Sequence, residues 1–163
     1  MTDDDRPPDV PDERPAWLDH LDVLVGAWDT MATFDAGFLG PGTPATAAAG
    51  RTTFEWLDGR RFLVQRVDNE HPDFPRALTV VGAGAEPDTF TQRYYDSRGV
   101  ERVYGMGFDG RRWRLWRESP GFWQRYTGVL SGDGRTITGA WEASADGREW
   151  RHDFGLTHTR AAY

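Results

Sequence analysis

Between residues 94 and 160, short runs of aromatic and β-branched residues alternate with turns that contain glycine. Asp109-Gly110 and Asp146-Gly147 are two of these turns. An Asp-Gly pair favours a tight hairpin, because both central residues of a type I′ turn need a positive φ angle. Strands joined by turns every ~8–12 residues favour an antiparallel meander, which closes into a barrel or folds as a sandwich.

The same pattern extends back toward the N-terminus and brings the predicted number of strands to about ten. The segment from Asp35 to Ala49 is rich in Gly, Pro and Ala, and we expect a long loop there, with a short helical piece near 45–49. The predicted fold class is all-β, an antiparallel up-and-down β-barrel with a short N-terminal helix. The predicted strands are 27–34, 50–57, 61–68, 77–83, 89–96, 100–108, 112–117, 122–130, 136–142 and 149–160.

The segment Trp17–Val25 carries the helical signal of the sequence. Leu18, Leu21 and Leu24 recur at helical spacing, and Gly26 stands where a C-cap glycine is expected. A helix of this length is not stable alone, so it must pack against another element. We expect it to close one end of the barrel.

The length of 163 residues favours one domain, which we place at residues 16–163. Residues 1–15 are acidic and proline-rich, and such a segment buries too little apolar area to offset its ordering entropy. We therefore predict a disordered tail over these fifteen residues. The formal net charge of −7 argues against nucleic-acid binding.

The absence of cysteine excludes disulfides, thiolate nucleophiles and Cys–zinc sites. Apolar runs stay well short of the ~18 residues of a membrane span, so no membrane partner is expected. The N-terminus lacks the basic start and apolar core of a signal peptide, which predicts a cytoplasmic location. We expect a monomer or a homodimer.

Large rings and polar groups share the same strand faces. Arg102 alternates with Tyr104 and Met106, and Gln124 alternates with Tyr126. A sandwich would separate apolar from polar faces more cleanly. The mixture is expected of a barrel that encloses a wet, amphipathic cavity. The alternative is that the polar groups face solvent and lie over aromatic neighbours.

The cavity interpretation predicts a small hydrophobic or amphipathic molecule as the partner. Rings would stack on it, and an inward arginine would hold a carboxylate or phenolate through two hydrogen bonds. An outward arginine would be an ordinary solvated charge. The candidate ligand-binding residues are mid-strand rings and polar groups, namely Trp28, Arg66, Arg102, Tyr104, Trp116, Gln124 and Trp141.

The helix ends in Leu-x-x-Leu-x-Gly-x-Trp at residues 21–28, and a ten-strand meander follows it. This combination resembles the calycins. The segments 95–104, 113–117, 135–142 and 152–160 are similar to a family of uncharacterised lipocalin-like proteins of actinobacteria. The resemblance covers residues 18–160 and implies a lipocalin-like barrel without a settled activity.

A more distant resemblance is to nitrobindin, a ten-strand barrel that binds haem through a histidine on its last strand. If Thr157-His158 is matched to the ending of that strand, the ligand position falls on Asp153, one residue from His152. An offset of one residue turns a side chain to the other face, and a β-bulge would restore the facing. The resemblance therefore implies haem on His152 as one alternative; otherwise we expect no cofactor.

The four histidines lie at residues 20, 71, 152 and 158, without the spacing of a metal site, so we expect no metal unless haem is bound at His152. We interpret His152 and His158 as structural residues of a packed strand. A Gly-x-Ser-x-Gly elbow and a phosphate-binding glycine loop are both missing. The enzymatic alternative is a cofactor-independent cyclase or isomerase of natural-product metabolism, with His152, Tyr104 or Glu142 as its acid or base.

Overall fold

The computed structural model describes residues 9–11 and 13–162. They form a closed barrel of ten antiparallel strands in sequence order, in which the last strand pairs with the first. The predicted fold class is confirmed. The strands are β1 (Gly26–Phe34), β2 (Thr46–Trp56), β3 (Phe62–Asn69), β4 (Ala77–Ala83), β5 (Thr89–Asp96), β6 (Glu101–Phe108), β7 (Arg112–Arg117), β8 (Trp123–Leu130), β9 (Thr136–Ser144) and β10 (Arg151–Arg160).

The prediction was wrong for the segment before Gly50. Residues 46–49 extend β2 instead of forming a helical piece, and they pair with the end of β1, with Phe34 opposite Thr46. The run Ala47–Ala49 favours a helix by intrinsic propensity. The unpaired edge of β1 provides hydrogen-bonding partners that outweigh this preference.

The N-terminal helix spans Ala16–Leu24 and is a 3-10 helix. Three residues per turn place Leu18, Leu21 and Leu24 on one side, and all three are buried. The three leucines belong to the main hydrophobic core, so the helix closes one end of the barrel as predicted. Gly26 does not cap the helix: it is the first residue of β1, with φ of 119°.

Trp28 of β1 and Arg160 of β10 connect the helix to the first and last strands of the barrel. The indole Nε1 of Trp28 donates to the carbonyl oxygen of Leu24 at 2.8 Å. The guanidinium of Arg160 lies 4.0 Å from the Trp28 ring centroid and donates to the carbonyl oxygens of Val23 and Val25. The helix, β1 and β10 are therefore held together at the closed end.

Part of the predicted disordered tail lies outside the described residues, namely 1–8 and 12. Arg61 donates to the carbonyl oxygens of Pro11 and Glu13, at 3.3 and 3.1 Å. Arg14 donates to Arg60 and forms an ion pair with Asp19. The residues just before the helix therefore contact the β2–β3 hairpin.

Across residues 9–11 and 13–162, no helix has the length and apolar character that crossing a membrane requires.

Candidate ligand-binding cavity

Inward side chains of all ten strands surround a cavity of about 440 Å³. It extends from His158 and Trp113, near the helix-closed end, to Phe38, Leu39 and Phe74 of the loops at the opposite end. Cavities of roughly 300–1,000 Å³ are the usual size for small-molecule sites. The barrel is thus not filled by its own side chains.

One side of the cavity is an aromatic wall that consists of Tyr104, Trp113, Tyr126 and Trp141. Tyr126 links the other rings, with its centroid 5.3 Å from Trp113 and 5.4 Å from Trp141, and Tyr104 lies 5.6 Å from Trp141. Edge-to-face and tilted contacts of this kind fix ring positions. A Cβ atom at Gly128 or Gly139 would collide with the Tyr126 ring, so these glycines let it lie against the sheet.

The other side is a polar belt of uncharged, buried side chains on adjacent strands. Gln65 connects two of its members: its Nε2 donates to Thr52 Oγ1 at 3.2 Å, and its Oε1 accepts from Thr79 Oγ1 at 3.0 Å. Thr52 in turn donates to the backbone oxygen of Arg66. The belt consists of Thr30, Thr52, Gln65, Thr79, Gln92 and His158.

Four buried polar atoms of cavity-lining residues have no hydrogen-bond partner among the described residues. They are Gln92 Oε1, Trp113 Nε1, Tyr126 Oη and His158 Nδ1. An unsatisfied buried polar group costs about 1–3 kcal/mol, and native proteins contain few of them. Their concentration around one cavity leaves these atoms available to a molecule or to water inside it.

Burial keeps His158, Tyr104 and Tyr126 uncharged at neutral pH. Desolvation lowers the pKa of His158 to about 4, so its imidazole is neutral. Burial also raises the pKa of Tyr126 and of Tyr104, whose phenols stay protonated. Near the mouth, burial raises the pKa of the half-buried Asp153 carboxyl.

Arg102 places a positive charge in the cavity lining. Its Nη1 donates to Gln124 Oε1 at 3.2 Å, and the same oxygen accepts from Tyr104 Oη at 2.9 Å. The guanidinium lies 5.6 Å from the Phe122 ring centroid. None of the ion pairs among the described residues includes Arg102, so its charge is available to an anionic group.

The structure brings four of the candidate ligand-binding residues together in the cavity: Arg102, Tyr104, Gln124 and Trp141. Trp28 is fully buried below the cavity and bonds to the helix. Arg66 lies outside the barrel, paired with Glu55 at 3.4 Å. Trp116 is also outside, 41% exposed, with its ring over Gly105.

The candidate acid–base residues are not brought together. Tyr104 lines the cavity, whereas His152 is exposed and lies opposite Glu142 in the strand register. The Glu142 carboxylate accepts two hydrogen bonds from Arg125, at 2.9 and 3.1 Å, and Arg125 stacks on Trp150. His152 and Glu142 therefore belong to the outer surface.

A β-bulge in β10 determines which side chain faces the cavity at the position that corresponds to the haem ligand of nitrobindin. The register shifts between His152 and Phe154, and it is Asp153 that lines the cavity. Haem iron in proteins is bound by His, Cys, Met or Tyr. An outward His152 and an inward aspartate do not fit haem ligation at this position, and the described residues contain no cluster of three metal-ligating side chains.

The sequence analysis missed Gln92, Trp113, Tyr126 and His158 as cavity residues with free polar atoms. A signal was present for Gln92, because it alternates with Phe90 and Tyr94 and therefore shares an apolar face. His158 was interpreted as a hydrogen-bonded structural residue, but its Nδ1 has no partner in the described part of the chain.

The fold and the cavity define a closed ten-stranded antiparallel barrel with a partly polar interior. Its architecture is similar to that in the crystal structure of Rv2717c from M. tuberculosis, with a TM-score of 0.63. The match covers 92% of this chain and 100% of that chain, at 12% sequence identity, and shows the shared fold alone. No family model and no curated protein matches the sequence.

Proposed function

We propose that the protein binds a small hydrophobic or amphipathic molecule inside its barrel, as calycin-like proteins do. The observation that carries the proposal is the cavity of about 440 Å³, with an aromatic wall on one side and four unpartnered polar atoms around it. Sites of this kind combine apolar walls with a few polar anchors that orient the ligand.

Arg102 is the anchor that we assign to an anionic or phenolic end of the ligand. It lies at the mouth, half-buried, and its Gln124 partner also lines the cavity. A guanidinium that is shielded from water forms stronger hydrogen bonds to a carboxylate than a solvated one does. The body of the ligand would then lie against the rings of the aromatic wall.

The proposed function is binding without a cofactor and without catalysis. The side chains at the nitrobindin-like position do not fit haem, and two of the three candidate acid–base residues lie outside. The proposal therefore rests on binding alone.

Replacing Ala32 with tryptophan tests whether the barrel interior is the binding site. Ala32 lines the cavity and lies between Leu156 of β10 and Ala48 of β2. An indole there would occupy ligand space. We expect the affinity for 1-anilinonaphthalene-8-sulfonate, an aromatic anion, to fall tenfold or more (about 1.4 kcal/mol), measured by isothermal titration calorimetry.

The matched control is Met31→Trp, because Met31 is the preceding residue and is 43% exposed on the outer face. It should bind the probe like the wild type. Equal affinities of the wild type and a folded Ala32→Trp variant would place the probe outside the barrel and contradict the proposal.

A further inference from the structure

Gln92 is the cavity-lining amide that the protein itself leaves unused. It is buried on β5, and no hydrogen bond among the described residues involves its side chain. Gln65, in the same polar belt, has partners on both amide atoms. A buried amide without partners is costly, so its presence calls for a ligand that completes its hydrogen bonds.

The register places Gln92 directly beside the aromatic wall. It lies opposite Tyr104 on β6, and both side chains line the cavity. Side chains at directly opposed positions of antiparallel strands have Cβ atoms about 4.5–5.5 Å apart. A ring that lies against Tyr104 is therefore within reach of Gln92.

The surroundings of Gln92 select an uncharged group. Its strand neighbours on the inner face are Phe90 and Tyr94, and Val81 lies opposite it on β4. The other members of the polar belt are neutral, and burial keeps His158 uncharged at neutral pH. An ionised carboxylate without a cation nearby would lose its hydration without compensation.

We propose that the inner part of the cavity is a subsite for an uncharged aromatic part of the ligand, whose hydroxyl or carbonyl group hydrogen-bonds with the amide of Gln92. The inference rests on the proposed function and specifies its ligand class. A hydroxyl satisfies the amide in both directions, since it donates to Oε1 and accepts from Nε2. A carbonyl accepts a hydrogen bond from Nε2, and an adjacent hydroxyl then donates one to Oε1.

The test compares 2-naphthol with 2-methylnaphthalene, which differ by a hydroxyl in place of a methyl group of similar size. We expect the wild type to bind 2-naphthol about tenfold more tightly, the equivalent of one well-made hydrogen bond. Gln92→Met should bind the two compounds alike. Arg93→Met, which changes the exposed neighbour on the same strand, should keep the preference.

Thermal unfolding without ligand separates a ligand-binding role from a structural one. Gln92→Met replaces unpartnered polar atoms with apolar ones, so its midpoint should rise by about 2–4 °C. Gln65→Met removes hydrogen bonds to Thr52 and Thr79 and should unfold at a lower temperature than the wild type. An equal loss in both variants would make Gln92 a structural residue and overturn the inference.

Failure of the inference and failure of the proposed function give different results. If the wild type binds both naphthalenes equally, or binds 1-anilinonaphthalene-8-sulfonate and decanoate but neither naphthalene, the subsite is refuted and barrel binding survives. If the two naphthalenes, 1-anilinonaphthalene-8-sulfonate and decanoate all fail to bind, both the subsite and the proposed function are refuted. Retention of the tenfold preference in Gln92→Met would assign the hydroxyl to another residue and also refute the inference.

Discussion

Replacement of Trp28 with alanine is expected to lower the free energy of unfolding by about 3–5 kcal/mol. Trp28 is fully buried, belongs to the main core and packs edge-to-face on His158 at 6.4 Å between ring centroids. The substitution also removes its hydrogen bond to Leu24 and its contact with the Arg160 guanidinium. The closed end would lose both a large ring and the contacts that connect the helix to β1 and β10.

Urea denaturation, followed by tryptophan fluorescence and circular dichroism, measures this loss. The control is Trp116→Ala, which removes the same type of side chain from the outside of the barrel, where Trp116 is 41% exposed. We expect the control to cost about 1 kcal/mol or less. Equal losses in the two variants would show that Trp28 is not the anchor of the closed end.

Acidification from pH 7 to pH 4 is expected to remove about 3 kcal/mol of stability through His158 alone. Burial holds the pKa of the folded histidine at about 4, against 6.5 in the unfolded chain. Between these values the unfolded chain binds a proton that the folded chain does not, so stability falls as the pH decreases. The histidine contribution no longer changes with pH once the pH lies well above 6.5 or well below the folded pKa of about 4.

Urea denaturation at several pH values from 7.5 to 4.5 measures this dependence in the wild type and in His158→Met. The variant should lack the part of the slope that His158 causes. His20→Gln is the control, because it removes a partly exposed histidine that lies beside Asp88 and outside the cavity. A wild-type slope that persists in His158→Met would show that the imidazole is protonated without cost. If that variant does not fold, an NMR titration of the wild-type His158 ring gives the pKa directly.

The barrel was predictable because its strongest determinants are local. Asp-Gly pairs such as Asp109-Gly110 fix hairpin turns through backbone geometry, whatever the rest of the chain does. The start of β2 was not predictable, since Ala47–Ala49 becomes a strand through pairing with β1, a partner distant in sequence. The helix type was not predictable, because the three-residue spacing of Leu18, Leu21 and Leu24 fits both a 3-10 helix and an α-helix.

The facing of side chains was only partly predictable. Gln65 points inward and Arg66 outward, yet Leu63 and Val64 are both buried, so alternation gives no answer for β3. In β7 the inward Leu115 precedes the outward Trp116, and both are large and apolar. Closure of the sheet determines which face is inside, and the sequence does not encode closure locally. The β-bulge in β10 also changes the facing of a side chain: alternation from the inward His158 predicts an inward His152, but His152 faces outward.

Two-dimensional NMR of the full chain during titration with 2-naphthol tests most directly whether the barrel interior is the binding site. Each indole N–H gives its own resonance, which allows inward and outward tryptophans to be compared in one experiment. Trp113 and Trp141 line the cavity, whereas Trp116 lies outside and Trp150 stacks under Arg125. We predict saturable shifts of the Trp113 and Trp141 resonances with those of Trp116 and Trp150 unchanged. Shifts confined to Trp116 or Trp150, or no saturable shift of the two inward indoles, would contradict a ligand-binding interior.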